Sequence, residues 1–251
     1  MKLGAMQHVL GGSSDIERFS LARELGFAGV EAVILRNELA KPSRLHQLID
    51  AQGTTGIQIP SLCFAQHNGL IAQAAQTRSA IAELTTGIDW ARQLGAAVIL
   101  LPFFFEGELK TREDFEVAVA GFTQLCAIGE EAKVTITYEG TYDAAMCRKL
   151  ADAIKSPAFG IYFDLANVVW LGMDGPSEIR RLGPLIKQVH MKETKVGPGD
   201  VRPGEGRVDY AASAAALREI GYDEWLVFET PAGTREEIAK DIAFARRFFA
   251  V

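Results

Sequence analysis

Ile186-Lys-Gln-Val-His-Met-Lys-Glu193 is a short β-branched and apolar run that carries a histidine near its carboxyl end. His190 is the only imidazole in the C-terminal half of the chain. Three other short apolar runs end on residues of metal-ligand type: Val134–Tyr138 is followed by Glu139, Phe159–Phe163 by Asp164 and Trp225–Phe228 by Glu229. Side chains alternate between the faces of a strand, so residues at the same end of neighbouring parallel strands converge on one point. Glu139, Asp164, His190 and Glu229 would form a hard, oxygen-rich set with one imidazole. Such a set suits a divalent Mn, Mg or Co better than a thiolate-bound structural zinc. Among Mn, Mg, Co and Zn, manganese is favoured.

Outward from these runs the chain alternates between strand and helix. Leu3–Met6 reads as a first strand, and Ser14-Asp-Ile-Glu17 as a capping box opening a helix from Asp15 to Leu25. Gly29–Leu35 is a strand, Pro42–Ala51 a helix with proline in its first turn, and Ile57–Phe64 a third strand. Next comes a helix near Arg78–Leu94 with Ile81, Leu84, Ile88, Ala91 and Leu94 on one face. Ala97–Leu101 is an unbroken apolar strand of the kind covered on both sides, and Thr111-Arg-Glu-Asp114 caps a helix to about Ala132. Helices are expected at Asp143–Ile154, Pro176–Leu182 and Tyr210–Ile220. A last one, capped by Thr234-Arg-Glu-Glu237, carries Ile238, Ile242, Ala245 and Phe249 on one face. Leu25-Gly26, Leu94-Gly95 and Ile220-Gly221 each join a helix end to the next strand through a glycine. Eight βα units in 251 residues fit a (β/α)8 TIM barrel forming one domain over residues 1–251. A doubly wound open sheet is the lesser alternative, because no Gly-x-Gly-x-x-Gly follows the first strand.

Composition excludes several functions. Hydrophobic residues make up 48% and charged residues 23%, as in a globular protein with a large core. A net charge of -6 argues against nucleic acid as a partner. The N-terminus lacks the apolar block of a signal peptide, and no apolar run approaches the roughly 18 residues needed to cross a bilayer. No membrane partner is therefore expected. Cys63, Cys126 and Cys147 form no Cys-x-x-Cys pair and no even framework, so a reducing cytoplasm is the expected location. Walker spacing and a Gly-x-Ser-x-Gly elbow are both absent.

Taken together, Tyr138-Glu139-Gly140, Phe163-Asp164-Leu165-Ala166-Asn167, Val189-His190-Met191-Lys192-Glu193, Gly204-Glu205-Gly206-Arg207-Val208-Asp209 and Phe228-Glu229-Thr230 resemble the xylose-isomerase-like TIM-barrel superfamily of sugar isomerases and epimerases. The resemblance runs the full length of the chain. Its motifs look most like those of ketose and pentulose-phosphate 3-epimerases. It implies an enzyme whose divalent cation is held by Glu139, Asp164, His190 and Glu229, with Glu139 and Glu229 doubling as catalytic acid and base. The implied substrate is a small sugar or sugar phosphate. A carbon-bound proton next to a ketone is too weakly acidic for an unaided carboxylate, whereas a cation on the neighbouring oxygens would stabilise a cis-enediolate. Two glutamates on opposite sides could then invert the centre.

Five further residues are candidates for substrate binding. His67 either meets a substrate hydroxyl or caps its loop. Asn167 stands three residues after Asp164, where several members of the superfamily carry histidine. Lys192 lies two residues beyond His190 on the same strand face, facing either a substrate oxygen or solvent. Glu205 and Arg207 sit in the glycine-rich loop 197–206, which either closes over the site or stays at the surface. Glu31, at the end of the second strand, is either a substrate contact or a capping or ion-pairing residue. Trp90, Trp170 and Trp225 read as core or interface residues. Phe103-Phe104-Phe105 would be exposed unless it lines the pocket or meets another subunit in a homo-oligomer, a dimer or tetramer. Competing functions are an inosose-type dehydratase, a DNA-repair endonuclease of the same superfamily and a sugar-binding barrel without catalysis. Four histidines in all and the negative charge weigh against the endonuclease.

Overall fold

A computed structural model describes residues 1–251. Eight parallel strands close into a barrel in the order β1 to β8: β1 (Lys2–Met6), β2 (Gly29–Val33), β3 (Ser61–Cys63), β4 (Val98–Phe103), β5 (Thr135–Gly140), β6 (Phe159–Asp164), β7 (Ile186–Met191) and β8 (Trp225–Phe228). Helices α1 (Asp15–Leu25), α2 (Pro42–Thr55), α3 (Thr77–Leu94), α4 (Arg112–Ala132), α5 (Ala144–Ile154), α6 (Leu165–Trp170), α7 (Gly175–Leu182), α8 (Tyr210–Glu219) and α9 (Arg235–Ala245) connect and surround them. Each strand is covered by helices outside and by other strands' side chains inside, which is why the runs read as nearly continuous apolar sequence. The TIM barrel expected from the alternation is the fold. No helix is long and apolar enough to cross a membrane.

Local chemistry sets the helix ends. Thr111 and Thr234 each make a reciprocal box with Asp114 and Glu237, while Ser14 accepts from Glu17 N but Glu17 turns its carboxylate to Ser13. Gly26, Gly95 and Gly221 adopt φ of 86°, 69° and 71°, the left-handed turn that a glycine makes without a Cβ clash.

Three expectations need correction. β3 covers only Ser61–Cys63 rather than Ile57–Phe64, because Pro60 has no N–H to continue a ladder. β2 ends at Val33, and the chain turns into a short 3-10 segment that leaves Leu35 exposed. Between β6 and α7 lies α6, a helix that the sequence pattern did not single out.

Candidate active site

The strand register brings the four expected ligands together. Asp164 and His190 are partners across β6 and β7, Glu139 is the next-to-last residue of β5, and Glu229 directly follows β8, its N–H bonded to Met191 O at 3.0 Å. One ligand atom from each of Glu139, Asp164, His190 and Glu229 lies within 4.8 Å of all the others. In barrel order Glu139 and Glu229 stand at the two ends of the arc, with Asp164 and His190 between them.

Strand alternation explains what surrounds the cluster. Gln188 and His190 on β7, and Lys192 just beyond it, follow at intervals of two and face the barrel interior. Lys192 Nζ stands 2.9 Å from Glu229 Oε1 and 3.5 Å from Asp164 Oδ2. Asn167 Nδ2 donates to Glu139 Oε1 at 3.0 Å. Asp164 divides its two oxygens: Oδ1 caps α6 by accepting from Ala166 N and Asn167 N at 2.7 and 2.9 Å, whereas Oδ2 has no hydrogen-bond partner. The helix-capping and ligand-type readings of this carboxylate thus apply to different atoms.

Beneath the cluster lies a polar layer where barrels more often carry branched apolar side chains. Gln188 Nε2 donates to Ser61 Oγ (2.6 Å) and Tyr162 OH (2.8 Å). Both hydroxyls donate on to Glu31 Oε2, at 2.5 and 2.6 Å, and His190 Nε2 lies 3.1 Å from Glu31 Oε1. Every donor in this chain points toward Glu31, which is fully buried. The network therefore assigns the His190 proton to Nε2 and turns Nδ1 to the cluster. Nδ1 lies 2.9 Å from Glu229 Oε2 and 3.7 Å from Glu139 Oε1 without a hydrogen bond to either. Asp164 Oδ2 and His190 Nδ1 are thus two buried polar atoms of one cluster that meet charged neighbours but accept or donate no hydrogen bond. Buried polar atoms are normally paired, so this pair and the donor set fit a divalent cation that the four residues could hold. A carboxylate behind a ligand histidine is the usual orienting arrangement.

Charges in the ion-free cluster oppose one another strongly. Burial would lower His190, but Glu31 and Glu229 outweigh it and raise its pKa well above the usual range. Burial likewise acts against Lys192, whose pKa is nevertheless raised by Asp164 and Glu229. For Asp164 burial wins over the pull of Lys192 and raises the carboxyl. Burial also works against Glu229, yet His190 and Lys192 hold its carboxyl below the ordinary range. A bound cation would add the largest local charge to this balance.

Above the cluster opens a cavity of about 190 Å³ lined by Glu139, Asn167, His190, Lys192 and Glu229. Its remaining lining includes Pro102, Phe104, Phe105, Trp170 and Pro198. The phenylalanine run therefore divides: Phe103 is buried in the core, whereas Phe104 and Phe105 line the cavity. Trp90 is a core residue, and Trp170 is placed at the cavity by the unforeseen helix α6.

Other candidates are not brought to the cavity. His67 is buried with Nε2 2.9 Å from Glu83 Oε2, and Arg36 holds the same carboxylate, so the imidazole serves the packing of the β3 loop against α3. Glu205 accepts only from Arg202 N, at 3.3 Å, and both Glu205 and Arg207 are exposed away from the cavity lining. The glycine-rich loop is organised by Glu193, which the sequence reading left without a role. Its buried carboxylate accepts from the backbone N–H of Thr194, Gly204, Arg207 and Val208 at 2.9 to 3.0 Å. Glu31 contacts His190 rather than the cavity. Its isolation in a polar layer could have been suspected from Ser61, Tyr162 and Gln188, each a polar residue inside an apolar run.

Comparisons place this fold among known proteins. L-ribulose-5-phosphate 3-epimerase UlaE of Escherichia coli (strain SMS-3-5 / SECEC) is 27% identical over 253 residues, covering 92% of this chain and 87% of the relative. The D-allulose 3-epimerase from Methylomonas sp. superposes with a TM-score of 0.85 at 15% identity, covering 99% of this chain and 97% of that one. The IOLI protein with a binding zinc atom gives 0.82 at 20% identity with full coverage of both chains. The Xylose isomerase-like TIM barrel model matches residues 19–248, and the chain belongs to that family.

Proposed function

We propose that this chain is a divalent-metal-dependent ketose or ketose-phosphate 3-epimerase. The observation that carries the reading is the convergence of Glu139, Asp164, His190 and Glu229, with Asp164 Oδ2 and His190 Nδ1 buried and free of hydrogen bonds. The epimerase names of the sequence relative and of the Methylomonas structure support it. Three carboxylates and one imidazole favour Mn over a soft-ligand zinc site. A cation held by these four residues would supply Lewis-acid stabilisation of the charge that develops on the substrate oxygens.

The chain's own residues account for the proton transfers. Glu139 and Glu229 are the two bases, standing at opposite ends of the ligand arc, so that one takes a proton from one face of the carbon and the other returns one to the opposite face. Each has its own orienting donor: the neutral amide of Asn167 for Glu139, the ammonium of Lys192 for Glu229. Glu31 fixes the His190 ring and its tautomer, and Phe104 and Trp170 narrow the access of water. The three free, buried cysteines fit the cytoplasmic location expected from the sequence. Phe104 and Phe105 fit a monomeric cavity equally as well as a subunit contact, and a homo-oligomer is tested by sedimentation.

A panel of ketoses and ketose phosphates in heavy water, followed by proton NMR with metal-stripped and then Mn-loaded protein, tests the reading. Mn-dependent deuterium uptake at the carbon next to the carbonyl is expected, with formation of the epimer. A product lighter by one water would replace epimerisation with dehydration. Ligand binding with no exchange across the panel would leave a sugar-binding barrel.

A further inference from the structure

The cavity offers carbon and carboxylate to its ligand, and almost no free positive charge. Lys192 is the one lysine or arginine in its lining, and it is already engaged by Glu229 and Asp164. In TIM barrels a phosphate is often held by backbone amides of the loops after strands 7 and 8 and by a helix N-terminus. Here many of those amides already have acceptors within the protein, most of them after β7. After β7, the N–H groups of Lys195, Val196 and Gly197 donate to Asp200 at 2.8 to 3.1 Å. Those of Thr194, Gly204, Arg207 and Val208 donate to Glu193, and Gly199 N donates to the Glu193 carbonyl at 2.8 Å. After β8, the Thr234–Glu237 box at the N-terminus of α9 occupies two of its amides, Thr234 N on Glu237 Oε2 and Glu237 N on Thr234 Oγ1. Arg202, the cation beside it, binds Asp241 at 2.6 Å and Ala232 O at 3.2 Å. A phosphate ester carries about -1.5 to -2 charges at neutral pH. At the end of the cavity away from the acidic cluster it would meet Phe104, Phe105 and Trp170 and no unengaged lysine or arginine.

The carbon side of the cavity is built with equal care. Asn68 clamps the β4 loop by donating to Phe104 O and accepting from Phe104 N, both at 2.7 Å. A Cβ at Gly69, whose φ is 65°, would lie 2.4 Å from Gly107 O, so only glycine permits the two loops to approach this closely. Beyond the clamp Phe105 takes a φ of 52°, unusual for a bulky side chain, and leaves 65% of its surface exposed. Its ring stands 6.4 Å from that of Trp170. A strained backbone that holds an aromatic ring in the open at a cavity mouth points to a ligand that lies against it.

Resting on the epimerase reading above, we propose that the substrate is an unphosphorylated ketose, its carbonyl end at the acidic cluster and the C–H faces of its far end against Phe104, Phe105 and Trp170. These three residues, Phe104 held by Asn68, set specificity by contact with uncharged sugar, while the occupied amides of the β7 loop and of the α9 capping box are not offered to a terminal phosphate.

The test uses matched pairs of a free ketose and its terminal phosphate ester, with Mn-loaded protein in heavy water. The free ketose is expected to have a kcat/KM at least about tenfold above its ester, and Phe105→Arg should narrow that gap by adding a cation at the mouth. An ester handled as well as or better than the free sugar would overturn the proposal. Calorimetry with a linear pentitol and its terminal phosphate reads the same preference without turnover. Tighter binding of the pentitol supports the proposal and tighter binding of its phosphate overturns it, whether or not exchange occurs. Exchange with neither member of any pair, in protein that binds Mn, would instead defeat the epimerase reading.

Discussion

The two halves of the barrel do different work. Strands β5 to β8 deliver all four residues of the acidic cluster, each at or just after a strand end. Strands β1 to β4 deliver none of them, but supply Glu31 and Ser61 beneath the cluster and the Asn68-clamped wall of Phe104 and Phe105 beside it. In the proposed reaction the first half would carry the chemistry, and the second would orient it and, with Trp170 of α6, shape the choice of ligand. Damage to the first half should therefore strike turnover, and damage to the second should strike metal affinity or KM.

The largest effect expected is from stripping the cation. Chelation should abolish deuterium uptake, and adding Mn should restore it together with thermal stability. A ligand at 100 times its Kd raises folding stability by about 2.7 kcal/mol, which a melting curve reads directly. Uptake that persists in fully stripped protein would break the assignment of the chemistry to the β5–β8 half.

Next is Glu31→Gln, which keeps the shape but removes the carboxylate behind His190. Mn affinity, read by calorimetry, should fall by about 10 to 100-fold. An unchanged affinity would reduce Glu31 to a packing residue. Asn68→Ala should release the wall and raise KM for the sugar by roughly tenfold, through loss of two partly buried hydrogen bonds, while kcat changes less. An equal loss in kcat would extend the catalytic half into the β4 loop.

The smallest effect concerns His67, which lies in the β1–β4 half but away from the cavity. Burial lowers its pKa against the opposing pull of Glu83. Below about pH 6.5 the unfolded chain binds this proton more readily than the folded one, so stability falls as the pH drops through that window. His67→Gln should flatten this part of the stability profile without changing KM. A large KM change would return His67 to the substrate.

The same division explains what was legible in the sequence. Glu139, Asp164, His190 and Glu229 could be read because each follows its own apolar run, and strand alternation is a local rule. Lys192 followed from His190 in the same way. What could not be read depends on partners far apart in the chain: Glu31 and His190 are separated by 159 residues, and no local pattern joins them. His67 lies 16 residues from Glu83, with no periodic signal to pair a loop histidine with a helical glutamate. Helix α6 escaped notice because its six residues are too short for a periodicity and its cap, Asp164, already read as a strand end. With it went the placement of Trp170. The loop 197–206 was visible as a loop, but its closure on Glu193 and Asp200 rests on backbone amides, which carry no residue-type signature.

The central claim, two glutamates acting on opposite faces of one carbon, is tested most directly by following each epimer of the substrate separately in heavy water with Mn-loaded Glu139→Gln and Glu229→Gln. Both variants should lose interconversion by about 10² to 10⁴-fold. Each should keep deuterium exchange into one epimer only, and the epimer should differ between the two. Loss of exchange from the same epimer in both variants, or undiminished interconversion in either, would contradict the account.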